Sequence, residues 1–222
     1  MTPRDAILGK IRGGLSGADD AARRAAVEAR LSTVPKGVIP ARGQLDDVSR
    51  VDLFCAMVEK VTCSVARVRS HDHVPQAVSD YLRARNLPHA IRVGEDRRLK
   101  TLPWDDIKTL EVRRGASDGR DEAGLSHAMA GVAETGTLVL SSGPDNPTTI
   151  NFLPEHHLVV VDARDIAGDL ETVMAKVRNA FGKGKMPRTL NLITGPSRSG
   201  DIEQKIILGA HGPRAVHVIV VG

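Results

Sequence analysis

The sequence predicts an α/β domain, an open and mainly parallel sheet with helices on both faces, behind a short helical N-terminal arm. Three observations carry this expectation. Between residues 45 and 93 the hydrophobic period switches from helical to alternating, back to helical and back again, as strands joined by crossover helices require. The C-terminal half repeats the alternation, with apolar runs at 137–140, 157–161 and after Arg214 around an amphipathic stretch at 169–181. Finally, 222 residues suffice for one such domain with a core stable on its own, plus a small appendage.

Residues 1–43 read as arm and linker, and 44–222 as the domain. Helical patterns over 3–15 and 18–31 are split by Gly13-Gly14 and Ser16-Gly17. Ile7, Leu8, Ile11 and Leu15 recur at helical spacing, so the arm could pack on the domain or on a second copy of the chain, giving a homo-oligomer. A Pro- and Gly-bearing link over 33–43 follows. Val48, Val51, Phe54, Val58 and Val61 then mark an amphipathic helix begun at Asp46-Asp47. Cys55 and Cys63 fall in that helical stretch. A strand over 64–68, a helix over 74–85 and a strand over 89–93 make a βαβ unit, which demands parallel pairing.

A strand over 109–112 is expected next, with Trp104 as a packing anchor. Small residues at 128–133 lead to the turn Glu134-Thr135-Gly136, a strand over 137–140, the loop 141–147 and a helix start at Thr148. After the strand at 157–161 and the helix at 169–181, ended by Gly182, residues 190–193 read as a buried strand. Beyond its loop, Asp201 and Glu203 read as the opening carboxylates of one more helix before the last strand.

Two loops hold the polar chemistry. After Thr194, the residues Ser197, Arg198 and Ser199 set two hydroxyls and a guanidinium beside Gly195 and Gly200, where a ligand can approach the backbone. This is an anion cradle without the lysine and glycine spacing of a P-loop. His211 and Arg214, in Gly209-Ala210-His211-Gly212-Pro213-Arg214, are expected beside it. The second wall is the Glu134 turn with Thr135, Gly136 and Thr137, together with Ser141 and Asn146. A carboxylate between packed segments must be hydrogen-bonded, paired or used as a base or nucleophile, and the sequence leaves these alternatives open for Glu134. His217, alternating with valines, reads as structural. His156 and His157 point to opposite faces of one strand and do not grip one ion, so no metal site is expected.

Several classes are excluded. Two cysteines cannot hold an iron–sulfur cluster, so no cofactor is expected beyond a small carboxylate or phosphate anion. A net charge of +4 spread along the chain, with only five aromatic side chains, argues against nucleic-acid binding. No apolar run reaches membrane-spanning length and the N-terminus lacks a secretory pattern, so a cytoplasmic protein is expected.

The stretch AETGTLVL followed by ITGPSRSGDIEQKIILGAHGPR resembles the lactate utilization protein C family, the LUD-domain proteins, most closely over residues 125–220. The resemblance implies a Rossmann-like fold similar to the ribose-5-phosphate isomerase, glucosamine-6-phosphate deaminase and CoA-transferase superfamily. It also implies a place in L-lactate oxidation to pyruvate, beside two iron–sulfur partner proteins. In some enzymes of that superfamily a glutamate near a small-residue turn is a nucleophile or base, a placement Glu134 loosely resembles. A stand-alone acyl- or phosphosugar-handling enzyme using Glu134 with Arg198, and a non-catalytic scaffold docking through the arm, are the alternatives.

Overall fold

The computed structural model of the protein describes residues 2–15, 20–33, 37–182, 184–202 and 205–222. The chain divides into two compact units, Met1–Val38 and Ile39–Gly222. The first contains helices α1 (Pro3–Leu15) and α2 (Asp20–Thr33). The expected start of the second helix at residue 18 lies outside the described residues.

In the larger unit, α3 (Asp47–Lys60) begins at Asp46, whose carboxylate accepts from the Val48 and Ser49 amides at 3.1 and 3.0 Å. Its C-terminus closes as a Schellman turn, with Thr62 N–H donating to the Glu59 carbonyl and Cys63 N–H to Val58. Cys63 therefore lies past the helix rather than within it, because Thr62 takes a left-handed φ of 68°. A β-branched residue there is strained by roughly 1–2 kcal/mol. Thr62→Gly is expected to raise unfolding stability by about 0.5–1 kcal/mol, net of the hydrogen bond that Thr62 Oγ1 accepts from Arg198, read as a higher urea midpoint.

The remaining elements follow in order: β1 (Ser64–Val68), α4 (Val74–Ala84), β2 (Ala90–Val93), α5 (Arg97–Lys100), β3 (Glu111–Arg114), β4 (Ala123–His127), β5 (Ala130–Val132) and β6 (Thr137–Ser141). Then come α6 (Thr148–Phe152), β7 (His156–Asp162), β8 (Ile166–Ala167), α7 (Leu170–Phe181), β9 (Leu190–Ile193), β10 (Arg198–Ile202), β11 (Lys205–Leu208) and β12 (Ala215–Val221). The strand expected at 109–112 forms two residues later.

The main sheet is parallel throughout, in the order β1-β12-β7-β4-β2-β3. Strands β1 and β2 are parallel, as the βαβ reading requires, but three strands are inserted between them. Every residue of β7 is buried, as a central parallel strand covered on both faces must be. Leu158 and Val160 pack with Val78, Tyr81 and Leu82 of α4 on one face. Val159 and Val161 pack with Val51, Phe54 and Val58 of α3 on the other. Beyond α3 lies a second, four-stranded sheet in the order β8-β5-β6-β9, backed by Val173 and Val177 of α7. With the two-stranded sheet of β10 and β11, the C-terminal strands divide among three sheets rather than joining one.

Two further expectations are corrected. Among the described residues strand β9 pairs with β6 alone, at the edge of its sheet, so Leu192 is 47% exposed and the strand is not buried. The helix expected from Asp201 is instead the antiparallel pair β10 and β11. The two β-branched residues of Lys-Ile-Ile-Leu favour a strand. Glu203 lies outside the described residues.

Candidate functional site

The loop after β9 and the turn before β12 form a cleft of about 320 Å³ at the amino ends of β7 and β12. Gly195, Ser197, Arg198 and His211 line it, together with Asn151, Phe152 and His157. Ser197 ties the two segments together. Its N–H donates to the Pro213 carbonyl at 2.8 Å, its carbonyl accepts from Gly209, and its hydroxyl oxygen accepts from the His211 N–H at 3.3 Å. Arg198 is committed to the C-terminus of α3, donating to the Val61 carbonyl at 2.7 Å and to Thr62 Oγ1 at 2.8 Å. That is where a cation is favoured by the helix dipole.

Behind the cleft stands a buried relay. Ser126 Oγ donates to Asn151 Oδ1 at 2.7 Å, so the contact of 3.1 Å between His157 Nε2 and Ser126 Oγ requires the imidazole to be the donor. The Nδ1 of His157 is then left with a lone pair, buried and without a hydrogen-bond partner. Complete burial pushes the His157 pKa down to about 3. The ring stays neutral at physiological pH and is an acceptor, too weak a base to abstract protons.

The Glu134 turn meets this cleft only indirectly. Thr135 Oγ1, Thr137 Oγ1 and Thr194 Oγ1 form a hydroxyl chain with 2.7 Å links, ending in the cleft wall at Thr194. Gly136 carries the turn against the backbone of α3. The Glu134 carboxylate itself turns to the start of α7. Its Oε1 accepts from the Leu170 N–H at 3.3 Å, and its Oε2, buried and without a hydrogen-bond partner, lies 3.9 Å from Arg42 Nε. Ser141 pairs with Leu190 between β6 and β9, and its carbonyl accepts from Asn146 Nδ2 at 2.9 Å. Ser199 pairs with Ile207 in the hairpin, and Arg214 forms an exposed ion pair with Glu155. Ser141, Asn146, Ser199 and Arg214 do not line the cleft.

The two adjacent histidines separate as expected, His156 contacting the Tyr81 hydroxyl at 2.8 Å and His157 facing Ser126. His217 stacks on Tyr81 with centroids 4.4 Å apart and contacts Ser64 Oγ at 2.8 Å, a packing role.

The family model described as LUD domain matches residues 51–221. The chain belongs to the LUD-domain family. Relatives of this LUD-domain chain include Lactate utilization protein C of Shouchella clausii, 29% identical over 140 residues, which cover 54% of this chain and 61% of the relative. Lactate utilization protein C of Geobacillus sp. is 35% identical over 99 residues, 44% of this chain and 41% of that one. The chain thus spans about half the length of the curated relatives it matches. A crystal structure of a DUF162 family protein from Deinococcus radiodurans superposes with a TM-score of 0.59 at 23% identity, covering 80% of this chain and 99% of that one. It shares the fold.

Sequence reasoning missed Ser126 and Asn151 as partners of His157, because residues 126, 151 and 157 meet only once β4, α6 and β7 are assembled. The available signal was a histidine and a serine inside otherwise apolar strands, which burial obliges to find partners.

Proposed function

We propose that this LUD-domain chain serves in L-lactate utilization as a cytoplasmic component that holds a small carboxylate anion, while two iron–sulfur partner proteins carry the electrons. The relatives' shared name and the family match over residues 51–221 support the pathway. The observation that carries the ligand class is that Ser197 and Arg198 bring a hydroxyl and a guanidinium to one cleft, with the His157 ring buried in its wall. A 2-hydroxy acid offers the complement, a hydroxyl to donate and a carboxylate to accept. Holding, not oxidising, is the role assigned, since two cysteines in all cannot hold an iron–sulfur cluster to take up the electrons.

Deleting the gene is expected to abolish growth on L-lactate as sole carbon source while leaving growth on pyruvate intact. Purified protein is expected to melt at higher temperature with lactate or pyruvate, by about 2.7 kcal/mol of linkage at 100 times Kd, and Ser197→Ala to weaken that shift. Unimpaired growth with no second copy of the gene would refute the reading. The buried Oε2 of Glu134, with Arg42 at 3.9 Å but no hydrogen-bond partner among the described residues, favours a second reading, a stand-alone enzyme. Turnover by the purified chain alone, lost in Glu134→Gln, would decide for it.

A further inference from the structure

The carboxyl edge of the parallel sheet, opposite the cleft just described, is where open α/β sheets place their ligands. Three side chains converge there. His127 is the last residue of β4, Asp162 the last of β7, and His71 follows β1 by three positions. Asp162 Oδ1 lies 3.0 Å from His71 Nε2 and Asp162 Oδ2 lies 3.4 Å from His127 Nε2. Yet both Nε2 atoms are buried without a hydrogen-bond partner. The two rings stack with centroids 6.2 Å apart at 15°, and the three ligand-type atoms lie within 4.8 Å of one another.

The His127 tautomer is decided by its other nitrogen. Nδ1 lies 2.8 Å from the Ala128 carbonyl, which can only accept, so Nδ1 carries the proton and Nε2 presents its lone pair to Asp162. A lone pair facing a carboxylate repels it unless a cation stands between them. Metal-bound histidines are held in this way, the second nitrogen donating to a backbone carbonyl. The neighbouring Arg98 is not that cation, being paired with Asp96 at 2.6 Å, while Asp165 is taken by Lys176. Two imidazoles and one carboxylate remain, their ligand atoms converging on one point.

We propose that His71 Nε2, His127 Nε2 and Asp162 bind one divalent transition-metal ion of the zinc type. Ligands about 2.0–2.1 Å from a tetrahedral zinc stand roughly 3.4 Å apart, close to the 3.0 and 3.4 Å from the two Asp162 oxygens to the histidine nitrogens. Three protein ligands leave a fourth position open, and His71, with its side chain 36% exposed, gives access from solvent. The mixed nitrogen and oxygen set selects zinc, cobalt or ferrous iron over magnesium and calcium, which prefer oxygen alone. This site goes beyond the lactate reading and can be tested on the purified full chain without partners or turnover.

Stripped of metal and titrated with Co(II) at neutral pH, the protein is expected to bind one ion per chain with a visible d–d band, and to lose that ion to Zn(II) but not to millimolar Mg(II). Asp162→Asn and His71→Ala are each expected to weaken binding by at least about 100-fold, since losing a ligand costs more than losing its supporting shell. His73→Ala, which alters an exposed histidine two positions from His71, should leave it unchanged. His71→Ala alters a half-exposed residue, so circular dichroism should show a folded chain. Failure of both Zn(II) and Co(II) to bind stoichiometrically, or binding that survives both ligand substitutions, overturns the proposal.

Discussion

Gly136→Ala is expected to destabilise the domain by about 3 kcal/mol or more, seen as a large fall in the urea midpoint or as failure to accumulate folded protein. Two causes act together. Gly136 has a φ of +67°, which an L side chain rarely adopts, and a Cβ placed there would stand 2.7 Å from both the Met57 carbonyl carbon and the Val58 nitrogen. Neither obstacle is a flexible side chain. Both belong to the backbone of α3, whose Phe54 and Val58 are fully buried, so moving the helix aside would open the core. Gly119→Ala separates the two causes. Its φ is +90°, but nothing lies within 4 Å of an added Cβ, so only the backbone strain of about 1 kcal/mol is expected. Equal losses at the two positions would show that the contact with α3 is unimportant.

Stability is expected to fall steeply between pH 7.5 and 5, by about 2 kcal/mol for each of His157 and His217. Burial of the two rings pushes their pKa values down to about 3 and about 4, whereas both titrate near 6.5 in the unfolded chain. Above pH 6.5 both states are neutral and the full stability is present. As pH drops below 6.5, the unfolded chain takes up protons that the folded chain refuses. The loss therefore grows until the folded-state values near 3 to 4 are reached. Burial lowers His156 as well, in the same direction. Urea unfolding at pH 7.5, 6 and 5 measures the slope, and His217→Gln should flatten it by close to one proton. A stability that stays level from pH 7.5 to 5 would contradict the burial of these rings as neutral species.

Much of the fold was legible because its elements are locally encoded. Asp46 and Asp169 cap α3 and α7 where the acidic residues precede helical periodicity, and the apolar run at 157–161 could only be a buried strand. The cleft was partly legible too. Gly195, Ser197, Arg198 and His211 do line one cavity, since glycines and small polar residues mark the loops that border a site. Where Arg198 and Glu134 direct their charges was not legible. Each satisfies a helix terminus contributed by a distant segment, Arg198 the Val61 carbonyl at the end of α3 and Glu134 the Leu170 amide at the start of α7. Sequence spacing holds no record of that proximity.

The sequence by itself determined the α/β class, the parallel pairing and the family, because periodicity, caps and two ordered motifs are properties of neighbouring residues. Only the tertiary structure decided that the C-terminal strands divide among three sheets and that His71, His127 and Asp162 share one edge. Strand order and sheet edges arise from packing between residues far apart in sequence, 153 positions for Ser64 and His217 across β1 and β12 and 91 from His71 to Asp162, and no local pattern specifies which strand ends will meet.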